Sequence, residues 1–558
     1  MVEASTVAQA FQATAAAHPD RVALRTKGDE FSITWREYGD RVRDTAGGLA
    51  ALGLERGQTL ALLLTNRPDF HWFDAAALHL GATPFSLYNT YTADQIQYQV
   101  TDAGARILVT EEAFAERVRG LEGVEDIIVV EEDSLPEPPD GFDFDAAWRA
   151  VEPDDLLTLI YTSGTTGPPK GVQITHGNMV ATIRGVSEVI EFPDEGRLVS
   201  WLPMAHIAER NCTQYLPMFV GFSTTCCPDP RQLVAYLPEV RPTWFFAVPR
   251  IWEKLKAAIE AGIEAEQDAA KQQATRWALD LGLRRVRGES IDDEEHARAD
   301  ELVLSKIRAR LGFDAVEAVN VGAAPTPPEV IEFFHALGIP LGELWGMSET
   351  TGYGAVNPPE AIRIGTVGPP APGAEIRLAD DGEVLIRGAF ITTGYRNMPG
   401  QTSEAIDADG WLHTGDIGEF DDEGYLKLVD RKKELIISAG GKNMSPANIE
   451  AKLKASSPAI GQAIAIGDGK PYNVALLTLD PDVAPALEQQ HGREALLKEV
   501  ERGVEAANDQ LARVEQIKRY TLLDEEWQPG GDELTPTMKL KRKPIHAKYA
   551  DEIDQLYA

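Results

Sequence analysis

The chain has 558 residues and a formal charge of −35. That length allows three or four units of about 100–200 residues, and the acidic balance argues against nucleic acid and against electrostatic attachment to anionic lipid. The three cysteines, Cys212, Cys226 and Cys227, form no Cys-x-x-Cys pair and no histidine stands at metal-ligand spacing, which predicts a reduced cytoplasmic protein without a zinc site. Residues 1–5 lack the basic and apolar regions of a signal peptide, and no apolar run approaches the roughly 20 residues of a membrane span, so at most peripheral membrane contact is expected.

In chain order, the apolar runs 59–64, 105–109 and 126–130 read as buried strands, and 35–54 carries helix-spaced apolar residues. Alternation of this kind predicts βαβ units on a parallel sheet, an α/β fold. Residues 136–139 mark a linker or surface loop. A further strand, 156–161, runs into a loop crowded with glycines, hydroxyls and one lysine, and more strands follow at 198–202, 243–248 and 316–321, each ending in a polar or Gly/Pro-rich turn. Ligands usually sit at such strand ends in α/β sheets. The segment 253–304 is rich in Ala, Glu, Lys, Gln, Arg and Leu and reads as an appended helical pair. An exposed, charged pair without chemistry is favoured over a lid or membrane-contacting element. From 374 to 430 short strands with Asp-Gly turns predict a small β subdomain, and from 431 to 558 an independent α+β unit follows, with a helix at 446–456, strands at 463–466 and 474–479, and a helix at 493–512. The expected division is a large N-terminal domain, 1–430, and a C-terminal domain, 431–558.

The loop after 156–161 is Thr162-Ser163-Gly164-Thr165-Thr166-Gly167-Pro168-Pro169-Lys170-Gly171. Glycines let backbone N–H groups converge on one anion, hydroxyls add donors and Lys170 adds charge, so the loop suits a polyphosphate. Two prolines between Gly167 and Lys170 break the Walker spacing and argue against an immediate helix start. A plain Gly/Thr-rich turn is the alternative. Downstream, Trp345-Gly346-Met347-Ser348-Glu349 offers a flat ring for a base and a carboxylate for a hard cation, the alternative being a core Trp and a surface Glu. Asp416 is suited to accept from ribose hydroxyls, or is a turn aspartate. Residues 430–436 sit at the expected boundary, as a hinge or a solvated turn. Lys539 follows a Thr-Pro-Thr turn and leads a basic cluster with Lys541, Arg542 and Lys543, aimed at an anion or simply solvated.

Together, in this order, these strings resemble the adenylate-forming superfamily of acyl-CoA synthetases, luciferases and nonribosomal adenylation domains, over essentially the whole chain. Leu202-Pro203-Met204-Ala205-His206-Ile207-Ala208-Glu209-Arg210, the helical insertion and Thr535-Pro536-Thr537-Met538-Lys539 look most like the long-chain fatty acyl-CoA synthetases. The resemblance implies a mobile C-terminal domain and an AMP-forming fatty acid:CoA ligase using ATP, Mg²⁺ and coenzyme A. It implies that Thr162, Ser163, Gly164, Thr165, Thr166, Gly167 and Lys170 hold the ATP phosphates, with Thr162 and Glu349 on the metal. Gly322, Ala323, Ala324, Trp345, Gly346 and Ser348 would line the nucleotide, Trp345 standing where many relatives have Tyr. Asp416 and Arg431 would bind ribose, Lys433 would be the hinge, Lys539 the lysine of the adenylation step, Gly441 a neighbour of the pantetheine arm, and His206 a wall near the acyl carboxylate. Arg210 stands where some soluble long-chain enzymes have a gating aromatic, so no gate is carried over. Two other readings compete: a ligase passing its adenylate to a carrier protein or other nucleophile, and a nucleotide-binding pseudoenzyme.

Overall fold

The structure, a computed structural model, describes residues 1–162, 168–437, 443–535 and 538–558. Ser163, Gly164, Thr165, Thr166, Gly167 and Gly441 lie outside the described residues. The apolar runs become central strands because helices cover both faces of the sheets, which removes any need for alternation. Thr59–Leu63 and Ile107–Thr110 are buried at every position.

The largest sheet has seven strands in the order Gly394–Tyr395, Lys170–Thr175, Leu156–Thr162, Thr83–Ser86, Thr59–Leu63, Ile107–Thr110, Asp126–Val129. Its inner pairs are parallel, as expected. Its other end is not, because Leu156–Thr162 returns directly as Lys170–Thr175 with Thr162 opposite Lys170, and a connection that short permits only an antiparallel pair. Lys170 is therefore the first residue of a strand. Two four-stranded sheets lie beside it, and Thr243 joins them: its amide donates to the Arg197 carbonyl at 3.1 Å and its hydroxyl accepts from the Arg197 amide at 3.0 Å.

The insertion departs from expectation. In place of an exposed pair, the helices Pro249–Ala265, Ala269–Val286, Asp293–Ala299 and Ser305–Leu311, with a π-helical turn Asp300–Leu304, pack on the core of the sheet formed by Trp244–Ala247, Ala318–Val321, Leu341–Trp345 and Ala355–Val356. Ala278, Leu281 and Leu304 are buried there, and a Cβ on Gly282 would stand 2.3 Å from the Ala336 carbonyl oxygen. The apolar stripe at helical spacing, diluted by many charges, accounts for the packing.

The strands Glu375–Leu378, Glu383–Arg387, Leu412–Phe420 and Leu426–Arg431 form an antiparallel sheet in that order. Beyond it, Ile460–Ile466, Asn473–Leu479 and Ile517–Leu523 make a three-stranded sheet with Pro446–Ser456 and Arg493–Asp509 against one face and the C-terminal helices against the other. The third strand, parallel to the second, was not among the strands expected. This unit docks on the insertion's first helix through Arg250 with Asp480 and through Lys254 Nζ with Asp482 at 2.5 Å.

Candidate functional site

Several strand ends meet at one cleft. At the end of Leu341–Trp345, Trp345 is 6 % exposed, and its indole N–H donates to Asp416 Oδ2 at 2.9 Å. Asp416 faces Arg431 on the neighbouring strand, with Arg431 Nε 2.7 Å from Oδ1. Burial pushes the Asp416 carboxyl up, while Arg431, the Trp345 N–H and the Lys539 charge pull it down. Asp416 is thus a fixed, partnered acceptor with its backbone in a sheet, which rules out a free turn aspartate.

Gly346 is needed for close approach, since a Cβ there would lie 2.4 Å from the Gly352 carbonyl carbon. The Gly352 amide donates to the Met347 carbonyl at 2.8 Å, folding the chain back over a short turn, Ser348–Thr350. Within that turn Glu349 is buried and accepts from the Tyr395 hydroxyl at 2.8 Å. Lys170 Nζ stands 4.5 Å from the centre of the same Tyr395 ring. Tyr395 therefore links the lysine after the phosphate-type loop to the carboxylate expected on the metal. In the sequence its only signal is Gly394-Tyr395 after two threonines.

After Ala318–Val321, Gly322 is buried and Ala323 has φ of 70°, a left-handed conformation uncommon for a residue with a Cβ and concentrated at functional turns. Glu343, also unforeseen, lies two residues before Trp345; burial pushes its carboxyl up to about 7, against the pull of the nearby Thr326 and Gly365 backbone N–H groups. Its period-two relation to Trp345 was the signal for a shared face.

Lys539 arrives from the C-terminal unit. The Met538 amide donates to the Thr535 carbonyl at 2.9 Å and the Lys539 amide to the Thr535 hydroxyl at 3.0 Å, two bonds that fix the backbone leading into the lysine. Its side chain keeps solvent contact but lies in a crowded cleft. Lost hydration and the Arg431 charge lower its pKa, while Asp416, Glu349 and Glu434 raise it. His206, half-buried, is held at about 3 by burial and by the Lys539 charge. Its Nδ1 accepts from the Ala208 amide at 3.2 Å, which places the proton of the neutral ring on Nε2. Lys433 is exposed in a turn closed by the Glu434 amide on the Arg431 carbonyl at 2.9 Å. Arg210 is completely buried and paired with Asp74, so it is no gate.

For a divalent cation the buried Glu349 carboxylate is an oxygen donor, and Thr162, opposite Lys170 at the end of its strand, carries a hydroxyl. No group of three His, Cys, Asp or Glu side chains converges among the described residues. The donor set fits a hard ion that takes most of its ligands from phosphate and water.

Residues 11–396 match the family description AMP-binding enzyme, and residues 433–558 match AMP-binding enzyme C-terminal domain. Long-chain-fatty-acid–CoA ligase FadD15 of Mycobacterium bovis is 34 % identical over 567 residues, covering 94 % of this chain and 92 % of that protein. Long-chain-fatty-acid–CoA ligase ACSBG2 of Xenopus laevis is 32 % identical over 621 residues, covering 99 % and 84 %. In fold, the chain resembles O-succinylbenzoate coenzyme A synthetase (MenE) from Bacillus subtilis in complex with AMP, with a TM-score of 0.71 and 23 % identity over 96 % of this chain and 97 % of that one. With both halves matched and the cleft assembled between them, the chain belongs to the AMP-binding enzyme family, the adenylate-forming superfamily its motifs resemble.

Proposed function

We propose that the protein is an AMP-forming fatty acid:CoA ligase, using ATP and Mg²⁺ to make an acyl-adenylate and then coenzyme A to take the acyl group. The observation that carries this reading is the arrival of Lys539 from the C-terminal unit beside Glu349 and the Trp345–Asp416–Arg431 cluster. A nucleotide whose ribose hydroxyls meet Asp416 and Arg431, and whose base lies along Gly322, Ala323, Ala324 and Trp345, directs its phosphates toward Lys170 and the residues before it. Gly346 and Ser348 shape the floor. Glu349 and Thr162 would hold Mg²⁺, which supplies charge neutralisation to the phosphates.

In the first step a carboxylate oxygen attacks the α-phosphorus, the bond to the β-phosphoryl oxygen breaks and pyrophosphate leaves. Two anions meet, so positioned cations are the main lever. Lys539 neutralises the charge growing on the α-phosphoryl oxygens. His206 is uncharged at neutral pH and directs an N–H donor, without a competing positive charge, at the acid's carboxylate. In the second step the CoA thiolate attacks the acyl carbonyl and AMP leaves with the bonding electrons. Lys539 has no task there. A turn of the C-terminal unit about Lys433, bringing Gly441 to the pantetheine arm, clears the cleft for the thiol.

Pyrophosphate release across acids from acetate to stearate, with free CoA present and absent, tests the reading. The expected result is release that requires both ATP and a fatty acid, with acyl-CoA as the final product. Release without acyl-CoA formation would favour another acceptor, and no release would exclude the ligase.

A further inference from the structure

The C-terminal unit meets the N-terminal body at a second place besides the ion pairs of Arg250 and Lys254. A Cβ on Gly530 would stand 2.7 Å from Thr90 Oγ1 and 2.9 Å from Thr90 Cβ, so the bare backbone of Gly530 lies directly against the Thr90 side chain. Neither side yields easily. Thr90 is exposed, but the carbonyls of its neighbours Asn89 and Tyr91 both accept from Arg117, the latter at 3.1 Å, and the buried Tyr91 ring meets Tyr88 edge-on at 5.2 Å. Gly530 has φ of 80°, in a turn closed by the Gly531 amide on the Gln528 carbonyl at 3.0 Å.

From this contact, short chains of fixed bonds lead to Lys539 on one side and toward Lys170 on the other. In the C-terminal unit Lys541 Nζ donates to the Gly531 carbonyl at 2.8 Å and the Lys541 amide to the Glu533 carbonyl at 2.7 Å. Leu534 and Leu540 pair as an antiparallel bridge, and the Thr535 amide donates to the Lys539 carbonyl at 2.8 Å. The turn at Gly530 is thereby braced on the stretch that carries Lys539, and Lys541 of the basic cluster serves that brace. In the N-terminal body Thr90 follows the strand Thr83–Ser86, which runs parallel to Leu156–Thr162, so both chains leave the same edge of the sheet. Beyond Thr90 the helix Ala93–Ala103 opens with a capping box of Thr92 and Gln95. Its Tyr98 hydroxyl donates at 3.0 Å to the carbonyl of Pro169, the residue before Lys170.

We propose that Gly530 and Thr90 are positioning residues whose contact sets how far the C-terminal unit enters the cleft, and so places Lys539 relative to Lys170 for the adenylation step. The proposal rests on the ligase reading and on Lys539 serving the first half-reaction. Ion pairs between long, exposed side chains, such as Lys254 with Asp482, tolerate small displacements, whereas backbone against a pinned side chain does not. A Cβ at position 530 needs several tenths of an ångström that a displaced C-terminal unit must supply, and misplacement of a reacting group on that scale costs rate. Once the unit turns for the second step the contact is unmade, so acyl transfer to the thiol is spared. The backbone strain of a Cβ at φ of 80° is felt wherever the unit sits, and only the clash depends on Thr90.

The test measures, in the full-length protein, pyrophosphate release with ATP and palmitate and acyl-CoA formation from supplied palmitoyl-adenylate, alongside thermal melts. For Gly530→Ala the expected result is a fall of at least tenfold in kcat for the first and a change under twofold in the second. Thr90→Gly clears the space and by itself loses less than threefold in either. The double variant, Thr90→Gly with Gly530→Ala, recovers to within twofold of Thr90→Gly, which isolates the contact from backbone strain. Thr90→Phe pushes on the same turn, leaves the Gly530 backbone as it is and shows the tenfold split again. Equal losses in both half-reactions, a double variant no better than Gly530→Ala, or Thr90→Phe within twofold of wild type in pyrophosphate release overturns the proposal and leaves the ligase reading standing. Wild-type protein that releases no pyrophosphate overturns both.

Discussion

Tyr395→Phe removes one oxygen atom and little else. The ring stays, so the contact with Lys170 at 4.5 Å is kept, while the hydrogen bond to Glu349 at 2.8 Å is lost. Burial and the nearby Glu349 charge push the Tyr395 phenol well above its usual range, so the hydroxyl donates throughout the neutral region. Both residues are 8 % exposed, and water does not readily replace the lost donor. A hydrogen bond to a charged group contributes about 1.5–3 kcal/mol, and about 1.4 kcal/mol corresponds to a factor of ten. If the bond holds Glu349 in position for the metal and phosphates, kcat/KM for ATP falls by roughly 10–150-fold at saturating fatty acid, and part of the loss is recovered at raised Mg²⁺. The assay is initial-rate pyrophosphate release over a matrix of ATP and Mg²⁺ concentrations. A folded variant with kcat/KM for ATP within twofold of wild type would refute the link between Tyr395, Glu349 and the nucleotide.

Two predictions concern the scaffold. Arg542 forms a bidentate pair with Glu450 at 2.7 and 2.9 Å and also donates to Glu434 at 3.1 Å, so Arg542→Met leaves the buried Glu450 carboxylate without a counter-charge. Breaking a buried pair costs about 3–5 kcal/mol, and chemical denaturation followed at Trp527 is expected to show the C-terminal unit unfolding earlier while the N-terminal signal is little changed. His176 is held at about 3, mainly by burial, against 6.5 when unfolded. Because its folded pKa is depressed, its contribution to stability is present above about pH 6.5 and is lost as pH falls toward the folded pKa. His176→Asn keeps an acceptor near the Val7 amide, which the ring accepts at 3.1 Å. Between pH 6 and 4 its stability should therefore fall less steeply with acid than wild type, by about 1.4 kcal/mol per pH unit. Urea midpoints at both pH values measure this, and parallel curves would contradict it.

What could be read in advance followed local chemistry. Buried strands such as Thr59–Leu63 announce themselves as apolar runs, and the Asp-Gly turns mark the antiparallel sheet around Asp416. Loop motifs stood out because glycines and hydroxyls have no packing reason to cluster. What escaped depends on partners far away in sequence. Nothing near Tyr395 indicates that its hydroxyl will meet Glu349, and nothing near Trp345 indicates that its N–H will hold Asp416. In the insertion many charges mask a narrow apolar stripe, whose role becomes visible only when Gly282 meets Ala336. Arg210 read as a departure from a pattern, and only Asp74, Ser86 and Tyr215 reveal it as an anchor.

If one cleft serves two half-reactions, Lys539 belongs to the first alone. Lys539→Ala measures this most directly, assayed both for fatty-acid-dependent pyrophosphate release and for acyl-CoA formation from a supplied acyl-adenylate. The expected result is a loss of at least a hundredfold, about 2.7 kcal/mol, in the first and a change of less than about threefold in the second. Equal losses in both half-reactions would contradict it.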